Sequence, residues 1–295
     1  MGLKYPAALR RPHRERFLLV TATAALLLYI TVTVTVLPED ASLPCRSSWA
    51  PCRRADSPQE QPGPPAEADA VRRDPPLSPC PGHRFQVSQL LSHLHSALGP
   101  DGDVLLQPYL SSWDELLKFM ESLGPVAGFI SQQVEHKASV IRRLAQREEA
   151  AEGDAYRSVR SMIGAELSRG LVSFRQQTPS GCRTLLRLHR ALLWLQLFLK
   201  KVAEGPQEGG ELRSPSSLCR EAYREALAHH HSWLARRAAD VAFMALPDRD
   251  ALFQLVCARS QGEAGPLLDR AAEAIGEVYG RTQKAFEEHG MLELP

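Results

Sequence analysis

A chain of 295 residues with 44% apolar side chains can fill the core of one domain of about 200 residues and carry an extension besides. Its formal net charge of +1 argues against bulk nucleic-acid binding, which shows as a strongly basic domain. The six cysteines (45, 52, 80, 182, 219 and 257) include no C-x-x-C pair and no zinc-like spacing, so neither a metal site nor a disulfide framework can be read from them. The sequence contains no Asn, hence no N-glycosylation sequon.

Residues 1–16 are basic, with Lys4, Arg10, Arg11, Arg14 and Arg16, and residues 17–37 then run without a charge. About 20 apolar residues is what a bilayer core requires, and no small-residue cleavage site follows closely. The stretch is expected to be an uncleaved transmembrane anchor, with a signal segment as the other reading. Basic residues before it and Glu39 and Asp40 after it put the N-terminus in the cytosol by the positive-inside rule, a type II arrangement. Residues 38–83 are rich in proline and poor in apolar side chains, the composition of a disordered linker.

From residue 84 to 295 the pattern becomes helical. Apolar spacing of 3.6 residues, serine caps and Gly-Pro stops predict helices over 84–98, 111–123, 126–146, 155–174, 181–201, 216–246, 248–258 and 266–290. No segment reads as a strand. The expectation is one all-α domain of about eight helices.

The helix opening "GCRTLLRLHRALLWLQLFLKK" is the most informative. Apolar residues occupy nearly every side, yet Arg183, Arg187 and Arg190 fall within about 60° of one another at 100° per residue. Trp194, Leu197 and Phe198 continue the same stripe. One reading is a solvated edge whose arginine stems cover the core. The other is an anion recess opening into an apolar slot, because stacked guanidinium groups in a dry place need an anion to offset them and arginine forks onto phosphate oxygens. Gln133 and Lys137 share a helix face. His229, His230 and His231 are consecutive, so they point about 100° apart and cannot close on one ion; no metal site is expected. No catalytic motif of the nucleophile-elbow, zincin or P-loop type is present, and no catalytic residue is expected.

The stretches "PYLSSWDELLKFMESLGPVAGFISQQVEHK", "YRSVRSMIGAELSRGLV", "SGCRTLLRLHRALLWLQLFL" and the final "HGMLELP" resemble the glycolipid transfer protein superfamily, and within it the ceramide-1-phosphate transfer branch. The resemblance covers residues 84–295. It implies a two-layer helical sandwich holding one sphingolipid between its layers, a carrier rather than an enzyme, with no cofactor and no nucleic-acid partner. It places the lipid phosphate on Lys137, Arg183 and Arg187, the lipid amide on Gln133 and His231, and a supporting charge at Arg190. Arg187 stands where the sugar-carrying branch has a tryptophan, and Gln133 stands where the family has an aspartate. The resemblance also implies a cytosolic carrier that docks at membrane surfaces, against the lumenal side that the anchor implies. A glycosphingolipid carrier and a tethered sphingolipid sensor that does not shuttle remain the rival functions.

Overall fold

The computed structural model describes residues 79–150, 153–206 and 210–295. The stretch expected as an anchor (17–37) and most of the stretch expected as a linker (38–83) therefore lie outside the described residues. Among those described, no helix is long and apolar enough to cross a membrane.

The described chain is all helical, with nine α-helices rather than eight and two isolated β-bridges in place of any strand. These are α1 (Val87–Ala97), α2 (Leu106–Ser122), α3 (Pro125–Ala150), α4 (Val159–Ser168), α5 (Gly181–Ala203), α6 (Pro215–Ala226), α7 (Trp233–Phe243), α8 (Arg249–Gln254) and α9 (Gln261–Glu288). The extra helix arises because the segment expected as one helix over 216–246 breaks. Leu227 leaves helical geometry, Ala228–His230 make one 3-10 turn, and Ser232 caps a fresh start by accepting from the Ala235 N–H. Two boundaries also differ. Helix α2 begins at Leu106, ahead of the expected serine cap, because Pro108 in the first turn has no N–H to leave unpaired. Helix α4 stops well before residue 174, at Gly170 with φ +67°.

The arginine helix α5 is the hub, packed on α9, α6, α3 and α4. Helix α2 lies between α1 and α3, and α9 closes back on α1. A continuous core results, with Trp113, Tyr109, Phe119, Phe198 and Phe286 fully buried. Helix α5 is apolar nearly all round because it is covered nearly all round.

Candidate functional site

The start of α5 is fixed by a buried acid on the neighbouring helix α4. Glu166 of α4 is buried and accepts the backbone N–H groups of Gly181 (2.6 Å) and Cys182 (2.8 Å) and the Tyr156 hydroxyl (2.6 Å). A carboxylate on two orphan donors at a helix N-terminus satisfies them and complements the dipole. Ser180 adds a cap on the Arg183 N–H. A Cβ at Gly181 would lie 2.9 Å from Glu166, Met162 and Tyr156 alike, so only glycine lets the acid approach this closely.

Arg183, on this first turn, is 5% exposed. Its Nη1 donates to the Thr178 carbonyl at 3.2 Å, but Nε and Nη2 are buried with no hydrogen-bond partner among the described residues. A buried cationic donor without a partner is costly. No carboxylate pairs with Arg183, Arg187 or Lys137 among the described residues.

The expected head-group residues are brought together by their fields. Burial, then the Arg187 charge, pulls the Lys137 ammonium below the ordinary lysine value, and the same two causes act on Arg183. Burial, then the Lys137 charge, lowers His231. Lys137, Arg183, Arg187 and His231 thus share one positive neighbourhood, with Arg187 and His231 exposed at its rim. Lys137 also donates to the Gln133 carbonyl (3.1 Å), its own preceding turn, while the Gln133 side chain makes no hydrogen bond among the described residues. Arg190 is engaged elsewhere: its Nη2 donates to the Leu292 carbonyl (2.5 Å) and so clamps the C-terminal segment beside the stripe.

His231 is oriented by a residue that sequence alone does not single out. The Tyr223 hydroxyl lies 2.8 Å from His231 Nδ1. Burial raises the Tyr223 pKa, so the phenol keeps its proton. With the phenol as donor, Nδ1 accepts and Nε2 carries the ring proton, free to donate outward. The signal existed as a tyrosine eight residues before the histidine, but the helix break between them hides the pairing.

Beyond the cations α5 turns apolar as expected. Trp194, Leu195 and Phe198 line a narrow slot with Met120, Leu123, Ile130, Phe243 and Leu246, whose free volume is only about 20 Å³, room for roughly one water. Leu197 lies outside that lining. A wider cleft of about 540 Å³ between α2 and the end of α3 shares no residue with the stripe, and its Arg142 is already paired with Asp114 at 2.7 Å. The stripe and its slot are the candidate site. Outside it, α7 exposes Trp233, Val241 and Met244 on one side, with the Arg237 guanidinium 5.8 Å from the Trp233 ring.

Comparison with known proteins identifies the family and its fold. The family model described as glycolipid transfer protein matches residues 104–258. The rat ceramide-1-phosphate transfer protein is 40% identical over 220 residues, 73% of this chain and 99% of the relative, and the human one is 37% identical over 214 residues, 72% and 97%. A crystal structure of the human protein with 12:0 ceramide-1-phosphate is 38% identical and superposes with a TM-score of 0.64, covering 70% of this chain and 97% of that one. The ligand-free mouse protein gives 0.65 at 39% identity, covering 72% and 100%. The helical region has the two-layer sandwich that the resemblance implied, and the chain belongs to the glycolipid transfer protein family.

Proposed function

We propose that this protein binds and carries a phosphorylated sphingolipid, with ceramide-1-phosphate as its ligand. Lys137, Arg183 and Arg187 take the phosphate; His231 and Gln133 take the amide; the two chains part the slot and lie against Trp194, Phe198 and Phe243. Binding and release break no bond. The observation that carries this reading is Arg183, whose Nε and Nη2 are buried with no hydrogen-bond partner among the described residues, on the same helix whose later turns line an apolar slot. A phosphate fits both, because guanidinium groups fork onto its oxygens. Gln133 accepts the amide N–H with its side-chain oxygen, a neutral bond weaker by about 1 kcal/mol than a charge-assisted one.

The exposed side of α7, with Trp233, Val241 and Met244 among arginines, docks the protein on a membrane, since aromatic rings with nearby cations suit the headgroup boundary. Residues 17–37 hold the carrier near one membrane, and the linker sets its reach. The test is transfer of ceramide-1-phosphate between vesicles by wild type, Arg183→Leu and Arg187→Leu. Each substitution is expected to slow transfer tenfold or more with the fold intact. Unchanged transfer by both would overturn the proposal.

A further inference from the structure

The cysteines that spacing leaves unpaired are joined in the fold: Cys80 and Cys257 form a disulfide across 177 residues of sequence, with Cα atoms 5.6 Å apart, within the range such bonds adopt. Both ends are built for it. Cys80-Pro81-Gly82-His83, at the end of the stretch read as linker, forms a turn with Gly82 at φ +81° and the His83 N–H donating to the Cys80 carbonyl at 3.3 Å. Proline then glycine at the two central positions is the composition of a type II turn. The Gln86 side chain locks it, accepting from the Cys80 N–H (2.6 Å) and donating to the carbonyls of Cys80 (2.8 Å) and His83 (2.7 Å).

Cys257 sits where glycine is normally found. After α8 the Cys257 N–H donates to the Gln254 carbonyl and the Ala258 N–H to the Phe253 carbonyl, both at 3.0 Å, the closing pattern that needs a left-handed residue. Cys257 holds φ +57°, a strained choice that glycine would avoid. The bond to Cys80 supplies a reason for cysteine there. The other described cysteines, Cys182 and Cys219, are buried thiols, and burial pushes Cys219 up to about 12, so neither competes for the bridge.

We infer that the helical domain is made for an oxidising compartment, where the Cys80–Cys257 bridge straps the start of the domain to the far end of the segment that carries the slot residues Phe243 and Leu246. Such bonds persist outside the reducing cytosol. Forming it removes two protons and two electrons from the thiols, passed to a protein or glutathione disulfide that leaves as two thiols. The charge order around residues 17–37, basic before and acidic after, puts the domain on that same non-cytosolic side. The inference deepens the proposed function by placing the carrier, but it stands on separate residues, so lipid transfer and the bridge can fail independently.

The rival for these residues is a metal ion, since His83 offers a third ligand atom within 4.8 Å of both sulfurs. The experiment is to express the full chain in animal cells, alkylate before lysis and map peptides without reduction. A linked Cys80–Cys257 peptide, two hydrogens lighter than its parts, is expected. Both cysteines recovered alkylated, or one zinc per chain lost in Cys80→Ser, would overturn the inference. As a second arm, Cys257→Gly keeps the left-handed backbone and removes the bridge. Reductant should lower the wild-type Tm by at least about 5 °C and leave Cys257→Gly unmoved. A wild-type Tm insensitive to reductant would sink the strap.

Discussion

Replacing Arg183 by leucine separates a binding residue from a structural one, because the two roles predict opposite signs. In the lipid-free protein the substitution removes two buried donors that lack partners. Each such donor costs about 1–3 kcal/mol, and the variant forfeits only the charge-assisted bond to the Thr178 carbonyl, worth about 1.5–3 kcal/mol. At the middle of these ranges the balance is a gain of about 2 kcal/mol, which for a domain of this size raises Tm by about 4–8 °C. Toward lipid the sign reverses. Hydrogen bonds to charged groups contribute about 1.5–3 kcal/mol each, and 1.4 kcal/mol is already tenfold in affinity. Vesicle-to-vesicle transfer of ceramide-1-phosphate and thermal unfolding of the same lipid-free preparation are the paired assays. A stabler protein that no longer carries lipid is expected. A variant that melts lower and transfers at the wild-type rate would show that Arg183 is there to hold the fold, and the reasoning would fail.

The remaining expectations follow from named contacts. Lys137 starts below the ordinary lysine value through burial and the Arg187 charge, and a bound phosphate favours its charged form. Affinity for ceramide-1-phosphate should therefore fall as pH rises, earlier than an ordinary lysine would dictate, and Lys137→Gln should flatten that limb of a binding titration. Tyr223→Phe keeps its ring contact with Phe243 but loses the 2.8 Å bond to His231. A loss of about 1 kcal/mol, roughly fivefold in transfer, is expected, and the effect should vanish in a His231→Ala background; additive losses would detach Tyr223 from His231. Buried His189, stacked 4.1 Å from Tyr279, has its pKa lowered to about 4, chiefly by burial. The unfolded chain takes up this proton near pH 6.5 and the folded one only near 4, so stability should fall by about 3 kcal/mol as pH drops across that window. His189→Phe should reduce the acid slope of Tm by that share, and an unchanged slope would refute the assignment.

The features legible in the sequence were those with local periodicity. Helix class, the arginine stripe on α5 and its continuation into Trp194 and Phe198 follow from residue spacing along one helix, and in the fold that helix carries buried Arg183 on its first turn and the apolar slot on its later ones. The features hidden were those made by tertiary contact. Glu166 looks like any helix glutamate until α5 is laid across it. Apolar spacing runs on through residues 227–232 although the helix stops there, and Ser232 before Trp233 was the only local cue to a restart. The disulfide joins residues 177 apart, and no spacing rule reaches that far. Its one hint was a cysteine where a helix end would ordinarily spend a glycine.

The near-closed slot changes what a lipid must do on arrival. The slot between the described helices holds room for roughly one water, so every methylene that enters it must also unseat a side chain already in good packing. The gain per methylene is therefore smaller than transfer from water to oil would give, and it shrinks as the wedge goes deeper. In the proposed carrier the acyl length that fits is then set by how far the helices yield, a property of the walls rather than of any ruler at the bottom. Between journeys the same elasticity keeps the carrier's interior out of water.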